Sequence, residues 1–189
     1  MRNLMKPALI LCIICCSVAL CLALVNYFTK DIIKQRTEME AEEQRKQVIH
    51  EAQSFKSLAG WKGKDQSGII REVYAAYHQR KLAGYVLVVF PKGYGGEIKV
   101  TVGLSADGRI SGVNIGENNE TPGLGAKAAE DGFLNQYSQK KIQNTLQVVK
   151  RKPLSDNEIQ AISGATITSK AVTGAVQAAM ELGQKLIMY

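Results

Sequence analysis

Two stretches of the chain contain residue types that could take part in chemistry. The first, residues 163–169, reads Ser-Gly-Ala-Thr-Ile-Thr-Ser and stands directly before a segment with the pattern of a helix. Small residues leave backbone N–H groups accessible, and the first turn of a helix adds unpaired N–H groups and the positive end of the helix dipole. This stretch is therefore suited to bind a phosphate. Simple capping of the helix by Thr168 or Ser169 explains the same residues, so both interpretations stay open.

The second stretch is a glycine-rich loop, residues 118–127, which reads Asn-Asn-Glu-Thr-Pro-Gly-Leu-Gly-Ala-Lys. Gly123, Gly125 and Ala128 match the dinucleotide fingerprint G-x-G-x-x-A. A polar loop containing Pro122 precedes them, however, and no βαβ unit surrounds them, which argues against a Rossmann site. The phosphate-loop pattern G-x-x-x-x-G-K-[ST] is also absent from the sequence. A loop that approaches a flat ligand and a plain surface turn remain the alternatives.

The elements that position these stretches begin with an apolar segment. Ala8–Val25 is eighteen residues long, and only Ser17 within it is clearly polar. As a helix it would measure about 27 Å, close to the roughly 30 Å hydrocarbon core of a bilayer. A cleaved signal peptide is the alternative, but its apolar region is typically about 7–15 residues. We therefore expect an uncleaved membrane span; basic residues flank both ends, so the positive-inside rule gives no orientation.

Composition excludes several classes of function. The formal net charge is +7, but no basic run interleaved with aromatic residues appears, so nucleic-acid binding is not expected. All four cysteines lie within residues 12–21, which leaves none for a disulfide or a Cys-ligated metal in the remainder of the chain. Two histidines are too few to indicate a zinc site. We predict no metal site and no catalytic residue.

The remainder of the chain predicts an α+β fold, with a small antiparallel sheet and flanking helices. Residues 31–58 are charged and contain no Gly or Pro, which favours a juxtamembrane helix. The resulting division is residues 1–29 as a transmembrane helix, 30–60 as a charged helix and 61–189 as one compact domain. Alternating apolar residues and turn signals predict the following elements: strands over Arg71–Tyr77, Leu82–Phe90, Glu97–Leu104, Arg109–Ile115 and Val148–Lys150, and helices over Lys127–Gln136 and Ser169–Leu186.

The two stretches together carry a family resemblance. Ser163-Gly-Ala-Thr166-x-Thr168, following Glu120-Thr-Pro-Gly-Leu-Gly125, resembles the FMN-binding domain of two membrane redox complexes. In the Rnf ferredoxin:NAD complex this domain belongs to the G subunit, and in the sodium-pumping NADH:quinone reductase it belongs to the C subunit. The resemblance covers nearly the whole chain, and the short chain is more similar to the Rnf protein.

The resemblance implies where FMN would be held. In that family the FMN phosphate is attached to the threonine hydroxyl that ends S/T-G-A-T, which is Thr166 here. Ser163, Gly164 and Ala165 would leave that hydroxyl accessible, and Thr168 and Ser169 would bond the phosphate or cap the helix. The family's ETPGLG loop lies against the flavin ring, which implicates Glu120, Thr121, Pro122, Gly123, Leu124 and Gly125.

The sequence departs from the family pattern at two places. Gln160 stands where the family often has an Asp that the flavin transferase recognises, so the efficiency of modification is in question. Asn118 and Asn119 stand where basic or His residues are frequent, which bears on contacts to the ring.

The resemblance implies an electron-carrying subunit with no complete enzymatic activity of its own. It also implies the other Rnf subunits and a flavin transferase as partners, and the cell membrane as location, with the N-terminus cytoplasmic and the FMN domain extracytoplasmic. Three alternatives stay open. They are the C subunit of the quinone reductase, a cofactor-free membrane-tethered binding module, and a secreted enzyme released by signal cleavage.

Overall fold

The computed structural model describes residues 2–187, with side chains from Pro7 onwards, and the chain forms two compact units. The N-terminal unit ends at Glu42 and the C-terminal unit begins at Glu43. Helix α1, Arg2–Val48, contains all the described residues of the N-terminal unit, and its last six residues belong to the C-terminal unit. From Pro7 it is long and apolar enough to cross a membrane, and that apolar portion is exposed throughout. The Ser17 hydroxyl donates to the Ile14 carbonyl (2.8 Å), which satisfies this polar group within the helix.

The C-terminal unit confirms the predicted α+β class. Its main sheet has five strands, all antiparallel to their neighbours, in the order in which they occur in the chain. They are β1 (Ser54–Ser57), β2 (Ile70–His78), β3 (Lys81–Val89), β4 (Val100–Ser105) and β5 (Ile110–Ile115). A second sheet pairs β6 (Gln147–Val149) in parallel with β7 (Glu158–Gln160). The helices are α2 (Asp131–Leu134), α3 (Thr166–Ile187) and 3-10 turns at Lys62–Lys64, Gly125–Ala129 and Asn135–Tyr137.

Helix α3 covers one face of the main sheet. Its apolar residues recur at helical spacing, and Val172, Val176 and Met180 are fully buried, on the face that the sequence predicts. They pack in one core with side chains of β3 and β4. Gly183 allows the closest approach, because a Cβ atom there would overlap the Leu104 side chain.

The opposite face of the sheet is covered by the end of α1 and by the residues that follow it. Val48, Ile49 and Ala52 form a second buried cluster with Ala76 on β2 and Val86 on β3. The sequence favoured a helix over residues 31–58, but α1 ends at Val48 and β1 lies within that range. The chain leaves the helix there because these apolar side chains pack against the sheet and the next residues pair with β2.

One predicted helix was wrong. Residues 127–136 do not form a continuous helix but two 3-10 turns on either side of the four-residue α2. Glu130 is extended (φ −79°, ψ 144°) and interrupts the helical backbone. The break allows Ala128, Phe133 and Tyr137 all to reach the core, and each is buried. Core packing therefore determines the backbone here rather than local helical preference.

Candidate functional site

A cavity of about 1030 Å³ opens at the N-terminus of α3. Residues 160–168, which comprise the segment before α3 and the first three residues of the helix, form one wall. The glycine-rich loop contributes Glu120, Thr121, Leu124 and Gly125 to another. Tyr94 and Lys150 complete the lining. The structure thus brings together the two stretches that the sequence singled out, although more than thirty residues separate them in the chain.

Thr166 is the first residue of α3 and lines this cavity. The first helical hydrogen bond runs from the Ser169 N–H to the Ala165 carbonyl (3.0 Å), so Ala165 occupies the N-cap position. Capping by Thr168 or Ser169 was therefore a wrong prediction, because the helix begins three residues before its predicted start. Alanine has no side-chain acceptor, which leaves the N–H groups of the first turn available to a ligand. Among the described residues, the Thr166 hydroxyl has no hydrogen-bond partner.

Ser169 stabilises the turn before α3 from its buried side. It is fully buried; its hydroxyl donates to the Ala165 carbonyl (2.9 Å) and accepts from the Ile162 N–H (3.0 Å). Ser163 and Gly164 form the turn itself, with Gly164 at a φ of +78° that other residues rarely adopt. The structure therefore places Ser169 behind the cavity wall, whereas Ser163, Gly164 and Ala165 line the cavity.

Thr168 is turned away from solvent towards a buried carboxylate. Its hydroxyl donates to Glu120 Oε2 (2.6 Å), and the Gly95 N–H donates to Glu120 Oε1 (3.0 Å). Glu120 and Thr168 are 7% and 1% exposed, so these bonds form in a setting of low polarity where they are strong. Cβ atoms on Gly93 or Gly125 would overlap the same carboxylate. Glu120 therefore joins three segments that surround the cavity.

The glycine-rich loop divides into residues that line the cavity and residues that make its turn. The Thr121 carbonyl accepts from the Leu124 N–H (3.1 Å), which closes the turn over Pro122 and Gly123. Those two residues are exposed and lie outside the lining. Leu124 is 43% exposed and approaches the opposite wall, where a Cβ atom on Gly164 would lie 3.0 Å from its Cδ2.

The sequence interpretation missed several lining residues. Tyr94 belongs to neither motif and was not predicted as a site residue, although its flanking glycines indicate a loop with close contacts. Gln160 also lines the cavity; its backbone N–H donates to Gln136 Oε1 (2.7 Å) and its carbonyl accepts from Gln136 Nε2 (3.3 Å). The remaining lining residues that were not predicted are Lys150, Ala161, Ile162 and Ile167.

The two asparagines that depart from the family pattern lie outside the cavity lining. Asn118 supports the loop, since its Oδ1 accepts from the Glu120 N–H (3.2 Å) and its Nδ2 donates to the Gly116 carbonyl (3.0 Å). The Asn119 carbonyl lies where a Cβ atom on Gly95 would be. Asn118 therefore helps to hold the loop that carries Glu120 in position, and the backbone of Asn119 lies close to Gly95.

The residues around the cavity are arranged to bind a ligand rather than to transfer protons. Both oxygens of the Glu120 carboxylate accept hydrogen bonds from Thr168 and Gly95, and neither bonds to Thr166. Within the described residues, no group of three or more His, Cys, Asp or Glu side chains could hold a metal ion. A hydroxyl at a helix N-terminus beside a partly apolar cavity is suited to a ligand with a phosphate and a flat ring.

Comparison with known proteins identifies the family. Residues 93–181 match the family described as the FMN-binding domain. The G subunit of the Na(+)-translocating ferredoxin:NAD(+) oxidoreductase complex of Acetobacterium woodii is 38% identical, over 96% of this chain and 92% of that protein. The chain belongs to the G-subunit family of Rnf ferredoxin:NAD oxidoreductases. The G subunit of the proton-translocating complex of Clostridium ljungdahlii is 37% identical, over 90% of this chain and 86% of that protein.

Two solved structures share the fold of this Rnf family member over more than half of the chain. The C subunit of the Na(+)-translocating NADH-quinone reductase from Parabacteroides distasonis matches with a TM-score of 0.53 and 25% identity, covering 62% of this chain and 63% of that one. NqrC from Shewanella oneidensis matches with a TM-score of 0.52 and 22% identity, covering 74% and 71%. They support the predicted α+β architecture.

The residues around the cavity fit FMN. The N–H groups of the first turn of α3 can donate hydrogen bonds to a phosphate, and Thr166 places a hydroxyl beside them. Leu124 and Ile167 give an apolar surface for a ring, since both line the cavity and both are exposed. The volume lies near the upper end of the about 300–1,000 Å³ typical of small-molecule sites.

Proposed function

We propose that this chain is the electron-carrying G subunit of a membrane-bound, ion-translocating ferredoxin:NAD oxidoreductase complex, and that it carries FMN as a phosphoester on the Thr166 hydroxyl. The assignment to such a complex rests on the family, since its relatives are G subunits of ferredoxin:NAD oxidoreductase complexes. The covalent attachment of FMN rests on the position of the Thr166 side chain.

That position is the observation that carries the proposal. Thr166 lines the cavity at the first turn of α3, while the two hydroxyls that follow it in the motif are bonded elsewhere, Thr168 to Glu120 and Ser169 to Ala165. Formation of the ester requires the Thr166 hydroxyl to lose its proton and an activated flavin donor to lose its leaving group. The described residues present no base to that hydroxyl, so we assign this step to a flavin transferase.

The residues of the chain would bind and shield the cofactor. When bound, FMN supplies the redox chemistry, which needs no nucleophile or general acid from the protein. The N-terminal turn of α3 would hold the phosphate, and Leu124 and Ile167 would exclude water from one side of the ring. Covalent attachment would keep the cofactor in place in every redox state.

The proposal extends to the membrane and to partners. The apolar helix would cross the cell membrane once, with the N-terminus in the cytoplasm and the FMN domain on the extracytoplasmic side. The partners would be the other subunits of an Rnf-type complex, and nucleic acid would not be among them. An Rnf-type protein is favoured over the C subunit of the quinone reductase because the relatives from ferredoxin:NAD complexes match nearly the whole chain.

Flavin fluorescence in denaturing gels tests the attachment. The full chain is expressed with a flavin transferase in a host that exports the domain, beside a Thr166→Ala variant. We expect a fluorescent band for the unchanged chain and none for Thr166→Ala, because this is the hydroxyl that the first turn of α3 offers to the cavity. Thr145→Ala, an exposed threonine outside the cavity lining, is the matched control and should stay fluorescent.

Two results would contradict the proposal. A dark band for the unchanged chain, with the transferase shown active on a control substrate, would mean that Gln160 prevents modification or that the chain is a cofactor-free binding module. Fluorescence that persists in Thr166→Ala would place the flavin on another residue.

A further inference from the structure

The cavity has an unusual concentration of exposed apolar side chains. Among the described residues of the C-terminal unit, five large apolar side chains are exposed, and three of them line this cavity. They are Tyr94, Leu124 and Ile167, with exposed fractions of 71%, 43% and 57%. Leu82 and Leu154 are the other two, and neither lines the cavity. Exposed apolar surface gathered at one concave site indicates a ligand that covers it.

Tyr94 stands out within this group. It is the one aromatic side chain among the described residues that line the cavity, and it comes from the loop between β3 and β4 rather than from either family motif. An aromatic ring offers a flat face of the size of a flavin ring segment, and two such rings attract each other in offset or edge contacts. An exposed tyrosine with no such partner leaves that surface in water.

Contacts of the two glycines on either side of Tyr94 hold its loop in place. The Gly93 N–H donates to the Gly96 carbonyl (2.7 Å), which closes a turn around Tyr94. The N–H of Gly95, the next residue after Tyr94, donates to Glu120 Oε1 (3.0 Å). A Cβ atom on Gly93 would overlap Glu120, and one on Gly95 would overlap the Asn119 carbonyl. The ring position therefore depends on the Glu120 carboxylate and on close glycine contacts.

We propose that Tyr94 packs against the isoalloxazine ring of FMN and shields it from water, and that Glu120 is the positioning residue that holds the Tyr94 loop over the cavity. This inference rests on the proposed function, because it requires the flavin to be attached in the cavity. It adds a ring contact from outside the two motifs and a role for Glu120 that is distinct from direct contact with the flavin.

The fluorescence of the attached flavin measures this contact. A phenol ring in contact with an excited flavin quenches its emission by electron transfer, whereas a phenyl ring does not. Tyr94→Phe should therefore lengthen the flavin fluorescence lifetime severalfold. It should leave the bimolecular rate constant for quenching by iodide, which is called the iodide quenching constant below, nearly unchanged, since the ring still covers the flavin. Tyr94→Ser should lengthen the lifetime as well, and should also increase the iodide quenching constant severalfold.

The Glu120→Leu variant tests the positioning role in the same assay. Leucine keeps a side chain of similar size but has no acceptor oxygen, so it loses the hydrogen bonds from both Thr168 and Gly95. We expect a lifetime between those of the unchanged chain and Tyr94→Phe, and an increased iodide quenching constant. A purely structural role away from Tyr94 would lower the thermal midpoint without changing either optical quantity.

The controls separate this inference from the proposed function. All variants are made in the full chain and are compared only where the denatured band shows attached flavin, so absence of flavin from the unchanged chain would contradict the proposed function alone. Tyr77→Phe, a half-buried tyrosine on β2 outside the cavity lining, should leave lifetime and iodide quenching unchanged. Unchanged lifetime and iodide quenching constant in both Tyr94 variants, with flavin attached, would overturn the contact. Unchanged values in Glu120→Leu would overturn the positioning role.

Discussion

Three hydroxyl side chains at the start of α3 have three different environments. Thr166 lines the cavity, Thr168 donates to Glu120, and Ser169 bonds the backbone of the preceding turn. The sequence motif identifies all three as candidates for a phosphate site but cannot distinguish them. The distinction depends on Glu120, which lies far away in the sequence, and on a helix start that only the packed structure defines.

A residue-scale prediction concerns the loop between β6 and β7, beside the cavity. Arg151 donates two hydrogen bonds to the Glu158 carboxylate (2.7 and 2.9 Å), and these bonds lower the pKa of Glu158 below its ordinary value of 4.5. Because the folded-state pKa is lowered, the stabilisation is fully present above pH 4.5 and is lost as the pH falls through the lowered value. Urea unfolding midpoints from pH 7 to pH 3 should therefore fall more steeply for the unchanged chain than for Glu158→Gln. Parallel pH profiles would contradict this account.

At the scale of elements, the main sheet is covered on both faces. Helix α3 packs on one face, and the residues that end α1 pack on the other. Gly103 on β4 and Gly112 on β5 lie opposite each other in register, and together they admit the end of α1. A Cβ atom on Gly103 would overlap the Val48 carbonyl oxygen. The last turn of α1 is therefore an integral part of the folded C-terminal unit.

Substitution of Gly103 tests this packing. Gly103→Ala should destabilise the C-terminal unit by about 1–3 kcal/mol, because the added methyl group meets backbone that cannot move without shifting the helix end. Gly174→Ala is the matched control, since a Cβ atom on Gly174 of α3 meets nothing within 4 Å. It should stabilise the protein by about 0.5–1 kcal/mol, the usual gain for alanine over glycine inside a helix. Chemical unfolding measures the free energy of unfolding of both variants. A Gly103→Ala variant that is as stable as the unchanged chain, or more stable, would show that the helix end is not packed there.

Elements that depend on local residue patterns could be predicted from the sequence, whereas elements that depend on contacts between distant residues could not. The strands β2 to β5 were predicted near their observed positions, because alternating apolar residues and short turns are local signals. Strand β7 was not predicted, since it has three residues and pairs with a partner beyond a loop. Residues 127–136 were predicted as helix on local preference, whereas their backbone follows the burial of Phe133 and Tyr137. Both misses depend on contacts that a single sequence does not display.

At the scale of the whole molecule, the family indicates a function that composition and charge pattern alone did not. Neither composition nor charge pattern indicates a redox function. Basic residues flank both ends of the apolar segment, so they give no orientation in a membrane. The two motifs in order gave the family, which the comparisons confirm. The position of Tyr94 in the cavity and its link to Glu120 became visible only in the structure.

The proposed topology is testable because all four cysteines lie within residues 12–21. In the full chain, Gln143→Cys adds one exposed thiol to the C-terminal unit. A membrane-impermeant maleimide applied to intact spheroplasts should label this variant at the size of the uncleaved chain. It should leave the unchanged chain unlabelled, because in the proposed topology its thiols would lie in the bilayer. Labelling of Gln143→Cys only after the membrane is disrupted would place the domain in the cytoplasm.

The central claim, FMN on Thr166, is tested most directly by mass spectrometry of the full chain purified with its transferase. Trypsin should release the peptide Lys152–Lys170, because cleavage before Pro153 is blocked. The account predicts that this peptide is heavier by the mass of FMN less one water, and that fragmentation places the addition on Thr166. The same addition on Ser163, Thr168 or Ser169, or an unmodified peptide from a chain exposed to active transferase, would contradict it.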